Sequence, residues 1–348
     1  MRSGKVAAGF LKSAVLGSLG APSDKVVVGP GLGFDNAVVS LGGGKVLIAT
    51  VDPVSVVPRL GMKLSAWLSV HLLASDFATS GVPPQFATFS YSFPPALAPD
   101  DARKYLKEVG AVCASLGVSI VAGHTGSYPG SGFTVVGSGS MLGVARSGGY
   151  LTPAMARPGD SVVMTKHAGL EAAAYLALSF PGSTDARVGR KAGAAARRLI
   201  GHCSTVADSL QAARVGLGAD GVTTMHDATE GGVVGGLSEM ANASGCSFEI
   251  DFESVPVSPE SSAVCRAFGL DPLMTLSEGA LLLTCSTGRA DELVERLGRS
   301  GIPARVIGRV REGSGLWLTR GGAGRARLKP TRDSYWDAFS KAAAAGLE

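Results

Sequence analysis

The segment GPGLGFDNAVV, residues 29–39, joins a glycine-rich loop to the start of an apolar strand. Residues 25–29 and 37–41, which overlap its two ends, are rich in valine and predict two strands. A glycine loop between strands can present backbone N–H groups to a phosphate. The loop matches neither the Walker consensus nor the dinucleotide fingerprint, because no Gly-Lys-Ser/Thr and no helix follow it. Gly31 and Gly33 are therefore candidate phosphate-binding residues in a loop of unusual type.

The chain outward from this loop alternates between helical and strand patterns. A glycine turn at 42–44 links the strand at 37–41 to KVLIATV at 45–51, as in a hairpin. Apolar spacing next predicts a helix at 62–80, a strand at 86–93, a helix at 99–116, and strands at 118–122 and 133–145. A second series follows, ending with a last strand at 303–310. We therefore predict an α+β fold of two α/β domains, an N-terminal domain at 1–150, a C-terminal domain at 151–330 and a short C-terminal tail at 331–348.

Composition limits the class of protein. The 348 residues are 45% hydrophobic and only 17% charged, with a net charge of +4 spread along the chain. This balance favours a large buried core and argues against nucleic acid as a partner. The five cysteines are scattered and none forms a Cys-x-x-Cys pair, which predicts reduced thiols and a cytoplasmic protein. No long uncharged apolar run predicts a membrane span.

Three aspartates stand alone among apolar or small residues. Asp35 lies in GLGFDNAVV, Asp52 ends the predicted strand VLIATV, and Asp76 lies in ASDFATSGVPP. Burying a carboxylate is costly unless it is paired or bound to a metal, and Mg²⁺ prefers carboxylates together with substrate phosphates. Together they predict a magnesium–nucleotide site. Singly, each residue also fits an ordinary role as a turn residue, a strand end or a local cap.

A loop at 122–126, AGHTG, is predicted to follow the strand VSIVA. A compact turn there would expose Gly123, His124 and Thr125, whose backbone and side chains can hydrogen-bond to phosphate. We assign all three as candidate phosphate-binding residues, and His124 also as a candidate catalytic residue. The alternative is a histidine with a purely structural role.

The segment HDATEGG at 226–232 is predicted to lie between a strand and a helix. A helix N-terminus with two glycines offers N–H donors and a favourable dipole to an anion, so Thr229 and Gly231 are candidate phosphate-binding residues. Asp227 is a candidate catalytic residue that orients a nucleophile or holds a second metal, or else an N-cap for the helix. Glu278, in Ser277-Glu278-Gly279, is a weaker candidate of the same kind.

Eight segments in fixed order carry a resemblance to a known family. The resemblance covers roughly residues 1–312. The segments are GPGLGFDNAVV, TVDPVS, ASDFATSGVPP, AGHTG, LTPAMARPGD, TKHAGLEAAAYLA, HDATEGGVVGGLSEMA and DPLMTLSEGALLLT. In this order they resemble HypE-type hydrogenase maturation proteins. They are also similar, more distantly, to thiamine-monophosphate kinase, selenophosphate synthetase and aminoimidazole ribonucleotide synthetase.

The resemblance implies a fold, a cofactor and a partner. In this superfamily the N-terminal sheets of two subunits pair into a shared barrel, so a homodimer is expected. ATP and Mg²⁺ would lie in a cleft at that barrel, with Asp35, Asp52 and Asp76 binding the metal and the phosphates. The reaction implied is the activation of an oxygen by phosphorylation or the transfer of a phosphoryl group, with largely electrostatic catalysis.

Two departures from the family pattern affect the expected function. Phe34 and Asn36 stand where the family loop usually has an acidic residue and an alanine. HypE-type proteins end in a flexible tail whose terminal cysteine carries the carbamoyl group, whereas no cysteine of this sequence lies beyond Cys285. We therefore expect a HypE-like enzyme acting on a separate small molecule or on a group borne by a protein such as a maturation partner. The alternatives are a kinase similar to thiamine-monophosphate kinase and a nucleotide-binding partner without turnover.

Overall fold

The computed structural model describes residues 4–319 and 325–348. Its first half contains α1 (Ala8–Phe10, continued by a π-helical turn at Leu11–Val15), β1 (Val26–Val28), β2 (Ala37–Gly42), β3 (Lys45–Ser55), α2 (Gly61–Ala78), β4 (Phe86–Phe93), α3 (Pro99–Ser115), β5 (Ser119–Ser127) and β6 (Val135–Arg146). The two long helices pack on a sheet built from the strands.

The first sheet has the strand order β1-β2-β3-β6-β4-β5. Neighbouring strands are antiparallel except β4 and β5, which are parallel. Side chains alternate between the two faces of a strand, so Ile48 of β3 and Met141 of β6 pack with Leu73 of α2 in one core. Val51 points to the other face and is 67% exposed. One face of this sheet is therefore covered by helices and the other is open.

Buried serines fix α2 against the end of β3. The Ser69 hydroxyl accepts the Ser55 N–H at 2.8 Å and donates to the Ser55 carbonyl at 3.0 Å. Ser65 accepts the Val57 N–H at 3.0 Å. Because buried polar groups need partners, these bonds fix the helix in one position along the strand.

The second half contains β7 (Ser161–Thr165), α4 (Leu170–Ser179), α5 (Pro181–Val188), α6 (Arg190–Arg198), α7 (Val206–Ala213), β8 (Val222–Asp227), α8 (Gly232–Ser244), β9 (Ser247–Asp251), α9 (Pro259–Ala267), β10 (Leu281–Cys285), α10 (Ala290–Arg299), β11 (Ala304–Arg311), β12 (Gly315–Thr319), β13 (Arg325–Leu328) and α11 (Tyr335–Ala344). The strand order of its sheet is β13-β12-β9-β11-β7-β10-β8.

The central strands of the second sheet are covered on both faces. Every residue of β7, β8 and β10 is buried. Met164 of β7 belongs to the core that includes Leu237 of α8, whereas its neighbour Val163 belongs to the core that includes Leu293 of α10. Strands covered on both faces tend to read as apolar runs, and this holds for VVM of β7 and LLL of β10 but not for β8, whose sequence is VTTMHD.

Helix α2 joins the two halves. Its Leu68 packs with Phe180 and the helices of the second half. Its Ser75 accepts the Thr205 N–H at 2.9 Å, and the Ser80 carbonyl just beyond it accepts the Leu151 N–H at 2.8 Å. The end of α2 is therefore tied by hydrogen bonds to the segments that contain Leu151 and Thr205. No helix within the described ranges is both long and apolar enough to cross a bilayer.

Three expected strand ends are wrong, because the strands continue beyond them. Asp52 lies inside β3, with Gly139 of β6 as its Cα partner, rather than at the end of the strand. The segment 122–126 belongs to β5, where His124 pairs with Ser90 of β4. Asp227 is the last residue of β8 rather than part of a following loop. In each case pairing with a neighbouring strand extends the element beyond its apolar run.

The expected last strand at 303–310 is also not the last. β12 and β13 follow it, and β12 lies parallel to β9 while β13 closes that edge of the sheet. The bend before β12 contains Gly313 and Gly315, both with positive φ. β12 and β13 have only five and four residues, are partly exposed and lie beside glycines, so their alternation of apolar and polar residues is too short to identify from sequence.

Candidate functional site

Four aspartates from separate elements act on one another electrostatically. Asp35 follows the glycine loop and precedes β2, Asp52 lies in β3, Asp76 lies in the last turn of α2, and Asp227 ends β8. The charges of Asp227, Asp52 and Asp35 all raise the pKa of Asp76, after burial, which is the largest cause. The three aspartates singled out in the sequence therefore influence a common region, and Asp227 joins them from the second sheet.

His226 lies between two of these carboxylates. Its Nδ1 is 3.7 Å from Asp35 Oδ2 and 3.7 Å from Asp227 Oδ1, and the possible ligand atoms of the three residues all lie within 4.8 Å of one another. The same Nδ1 lies 2.7 Å from the Asp227 carbonyl oxygen. Because a carbonyl only accepts, Nδ1 carries the proton in this contact.

Burial raises the pKa values of the aspartates. Burial, and after it the charge of Asp227, raise the pKa of Asp52 from 3.8 to about 7. Burial also raises the pKa of Asp35 to about 7, although the positive charge of His226 opposes it. The pKa of Asp76 is raised well above 3.8. These carboxyl groups hold protons near neutral pH unless a cation compensates their charge.

The protein itself supplies positive charge through His226. Burial lowers the pKa of His226, but the charges of Asp35, Glu239 and Asp227 outweigh it and raise that pKa to about 10. The His226 Nε2 lies 3.1 Å from the Glu239 carboxylate of α8. His226 is therefore an imidazolium counter-ion at neutral pH. Sequence reasoning missed its role, although it stands beside Asp227 in the segment that was singled out.

Lys5 is a second positive group at the site. Its backbone N–H donates to Glu230 Oε2 at 2.7 Å, and its Nζ donates to Thr229 Oγ1 at 3.2 Å. Burial lowers the pKa of Lys5, but the charges of Glu239, Asp35 and further carboxylates outweigh this and the net pKa is raised. Nothing in the sequence around Lys5 predicted that its side chain would lie beside the acidic cluster.

Several buried carboxylate oxygens have no hydrogen-bond partner among the described residues. Within the acidic cluster they are Asp35 Oδ2, both oxygens of Asp227 and both oxygens of Glu278, of which the last two side chains act on each other, and Asp208 Oδ1 is a further one outside the cluster. Asp227 is 1% exposed and Glu278 is 0% exposed, so water does not solvate them freely. An unpaired buried charge costs several kcal/mol, and a hard divalent cation with oxygen ligands removes that cost. The orphaned oxygens therefore fit Mg²⁺, with His226 beside the cation as a proton carrier rather than a ligand.

Glu278 and Glu171 extend the acidic region on the side of the second half. The Glu278 N–H donates to Glu171 Oε2 at 3.1 Å. Burial raises the pKa of Glu171 to about 8, and burial followed by the charge of Asp227 raises the pKa of Glu278 well above 4.5. Glu171 therefore holds a proton at neutral pH, and the shift of Glu278 favours its protonated form. Glu171 was missed in the sequence, because a single glutamate in an alanine-rich helix reads as a surface residue.

The glycine loop packs directly on α8. Gly33 has a φ of +76°, and a Cβ there would lie 2.7 Å from the Cβ of Glu239. Asn36 points away from the carboxylates, since its Nδ2 donates to the Asp76 carbonyl at 2.7 Å and to Thr79 Oγ1 at 3.0 Å. Asn36 therefore ties the loop to the end of α2, and a Cβ at Gly31 would lie 2.8 Å from the Phe34 ring. The role of these glycines in phosphate binding stays a prediction.

The start of α8 uses its own N–H groups internally. The Gly231 N–H donates to Asp333 Oδ2 at 3.1 Å, and the Gly232 N–H donates to the Thr229 carbonyl at 2.9 Å. The N-cap of α8 is Gly231, without a side-chain cap, so the N-cap alternative for Asp227 is wrong. Phosphate binding by Thr229 and Gly231 stays a prediction, and for Gly231 it requires Asp333 to give up its hydrogen bond.

Gly123, His124 and Thr125 lie apart from this cluster, on β5 at an edge of the first sheet. His124 and Thr125 are exposed, and the His124 Nε2 lies 2.7 Å from the Tyr128 hydroxyl. Among the hydrogen bonds and ion pairs of the described residues, none joins these residues to the aspartates. Their predicted phosphate and catalytic roles stay predictions.

The arrangement defines a class of protein, a two-domain α/β fold with an acidic cluster built from both halves. Family models for the N-terminal and C-terminal domains of AIR synthase related proteins match residues 33–145 and 157–319. The chain belongs to the AIR synthase related family.

Particular relatives extend this assignment. The chain is 28% identical to carbamoyl dehydratase HypE of Cupriavidus necator over 285 residues, which is 80% of this chain and 77% of the relative. A solved structure of HypE in complex with ATP superposes with a TM-score of 0.67 at 19% identity, covering 95% of this chain and 96% of that one. A structure of ThiL complexed with AMPPCP and TMP gives a TM-score of 0.68 at 21% identity, covering 86% and 90%. By sequence the chain is thus a HypE-like member of the family, and it shares its fold with the solved structures of HypE and ThiL.

Proposed function

We propose that this chain is an ATP- and Mg²⁺-dependent enzyme of the HypE-like type, which activates an oxygen by phosphorylation or transfers a phosphoryl group. The observation that carries the proposal is the convergence of buried, unpartnered carboxylate oxygens from both halves of the chain. Similar chains have been solved with ATP and with AMPPCP, which supports a nucleotide at this place.

Asp35, Asp52, Asp76 and Asp227 would hold the cation. Bound there, Mg²⁺ supplies neutralisation of charge on phosphate oxygens. The chain's own groups do the rest of the electrostatic work. His226 keeps its proton because the surrounding carboxylates raise its pKa to about 10. Lys5 donates to Thr229 at the edge of the cluster, where a phosphate chain would enter.

Among the groups of this cluster, Glu278 is best suited to transfer a proton to or from the acceptor. Burial and the adjacent charge of Asp227 raise its pKa and favour its protonated form. The Glu171 carboxylate holds the peptide of Glu278 through one hydrogen bond of 3.1 Å. A carboxyl group whose pKa is raised can donate a proton in general acid catalysis. We assign Glu278 to proton transfer and Glu171 to its positioning.

The acceptor is a separate molecule in this proposal. All five cysteines of the sequence are buried, so none is placed to carry a substrate group into the site. Burial raises the pKa of Cys113 to about 11 and those of Cys265 and Cys285 to about 12, which disfavours the reactive thiolate. We propose a small molecule or a group on a partner protein as the acceptor.

A homodimer would complete the first sheet. Its uncovered face carries Val51, Val121 and Val135, each more than half exposed, and β5 presents an edge without a described neighbour. Exposed apolar surface of this kind marks an interaction site. The edge strand β5 carries His124 and Thr125, so the partner would also cover these residues.

Calorimetry with ATP and Mg²⁺ tests the proposal. The unmodified chain is expected to bind ATP in a magnesium-dependent manner, and Asp76→Asn is expected to abolish that binding. Asp24→Asn, an exposed aspartate outside the cluster, is the matched control and should bind normally. Unchanged affinity in Asp76→Asn would refute the assigned metal site.

Product analysis separates the enzyme classes. The ThiL-like kinase is the second candidate, since its solved relative matches this fold as well as HypE does. Radiolabelled ATP incubated with a metabolite panel should give a labelled metabolite for the kinase. Release of ADP only with a protein or amide-like substrate supports the HypE-like reaction, and tight binding without turnover supports a non-catalytic partner.

A further inference from the structure

The N-terminal segment is anchored on the second half of the molecule. The Lys5 N–H donates to one oxygen of Glu230, and the other Glu230 oxygen accepts the Trp336 Nε1–H at 3.0 Å. Trp336 belongs to α11, near the C-terminus. Glu230 therefore links the first described residues of the chain to α11, beside the site.

Gly4 makes this contact possible. Its φ is +98°, and a Cβ there would lie 2.8 Å from Glu230 Oε2 and 3.1 Å from the Trp336 ring. Only a residue without a side chain brings the backbone so close to both groups. We name residues 4–5 with Glu230 and Trp336 the N-terminal clasp.

The clasp holds the Lys5 ammonium above the carboxylates without a direct ion pair. The charges of Glu239, Asp35, Asp76 and Asp227 all act on it. Yet among the described residues no carboxylate oxygen lies within 4.0 Å of its Nζ, and its only side-chain hydrogen bond there is to Thr229. The ammonium is therefore attracted by the cluster as a whole and forms no ion pair with a single carboxylate among the described residues.

We propose that Lys5 is an internal counter-ion of the carboxylate cluster, which a divalent cation displaces when it binds. The proposal rests on the cation site of the proposed function, but it requires neither nucleotide binding nor turnover. A divalent cation brings two positive charges among the same carboxylates, so it repels the ammonium and removes its attraction to them. Once released, the Lys5 side chain is free to turn toward an anionic ligand at the mouth of the site.

This arrangement explains why Lys5 needs a clasp. An ammonium on a free N-terminal segment would be solvated and would compensate the cluster only weakly. The Lys5 N–H bond to Glu230 and the Lys5 Nζ bond to Thr229 hold the segment together, so release of the ammonium leaves it held by the Glu230 bond alone. The α1 segment that follows is exposed and contributes no buried residue that would hold it in place.

Binding of Mn²⁺ alone, followed by electron paramagnetic resonance, tests the proposal in the nucleotide-free chain. Lys5→Met keeps the length of the side chain and removes its charge, so it should bind Mn²⁺ about 10-fold more tightly than the unmodified chain. Lys5→Arg keeps the charge and should restore the original affinity to within about 2-fold. Lys12→Met, a lysine of the same exposed segment, is the matched control and should change nothing.

Hydrogen exchange of residues 4–15 gives an independent readout. Mg²⁺ should accelerate exchange in the unmodified chain, whereas Lys5→Met should exchange fast with or without Mg²⁺. Equal Mn²⁺ affinities in Lys5→Met and the unmodified chain, or no detectable Mn²⁺ binding by either, would overturn the inference. Absence of ATP binding by the unmodified chain, together with the expected gain in Mn²⁺ affinity of Lys5→Met, would contradict the proposed function and leave the counter-ion inference intact.

Discussion

Replacing Asp52 by asparagine should stabilise the cation-free protein while weakening its cation site. The pKa of Asp52 is raised from 3.8 to about 7 in the folded chain. The folded state therefore binds a proton that the unfolded state releases, and stability falls as pH rises between these two values. Asparagine has the same shape and does not titrate, so it removes this loss.

The magnitude follows from the pKa difference. One pKa unit corresponds to about 1.4 kcal/mol, so the difference between 3.8 and about 7 has an upper limit of about 4 kcal/mol. Asp52 is partly exposed, and solvent screening reduces the expected gain to about 2 kcal/mol. The gain should be complete at pH 8 and absent near pH 4.

Urea denaturation at pH 4.5 and pH 8, with and without Mg²⁺, measures both effects. Without Mg²⁺, Asp52→Asn should raise the midpoint much more at pH 8 than at pH 4.5. Mg²⁺ should stabilise the unmodified chain but not the variant, because loss of a ligand charge weakens cation binding by more than about 30-fold. A variant less stable than the unmodified chain at pH 8, or one stabilised equally by Mg²⁺, would refute the placement of Asp52 in the cluster.

Three further outcomes are expected. The Mg²⁺ affinity of the cation-free chain should rise with pH through about 7, where Asp35 and Asp52 lose their protons, and a flat calorimetric profile from pH 6 to 8 would contradict their role. Gly33→Ala should lower the free energy of unfolding, measured by thermal denaturation, by about 1–3 kcal/mol, because its Cβ would lie 2.7 Å from a side chain of α8. Gly43→Ala is the control: its Cβ meets open space at a similarly positive φ, so it should lower the free energy of unfolding by less. Val51→Asp should leave the fold intact by circular dichroism and yield monomers in sedimentation, whereas an unchanged mass would count against the open sheet face as the dimer interface.

Much of the fold could be predicted because buried strands and amphipathic helices leave strong patterns. The fully buried β7 and β10 read as apolar runs, and α2 and β4 were found close to their observed limits. Strand ends were predicted less well. β5 continues through Gly123 and Gly126, where pairing with β4 rather than an apolar pattern determines the conformation.

The sequence singled out three of the acidic residues that influence one another in the structure, and it missed the two basic groups beside them. Asp35, Asp52 and Asp76 stood out because isolated carboxylates in apolar surroundings demand a cation. Lys5 did not stand out, because the sequence around a lysine near a chain end is the same whether the lysine is solvated or held by a distant glutamate. Its contact with Glu230 joins residues 225 positions apart, and no local pattern encodes such a separation.

The most direct measurement is a crystal structure of the chain with a non-hydrolysable ATP analogue and Mg²⁺. The proposed site predicts a cation about 2.1 Å from oxygens of at least two of the aspartates Asp35, Asp52, Asp76 and Asp227, with phosphate oxygens completing its shell. A well-ordered nucleotide whose cation touches none of these carboxylates would contradict the central claim.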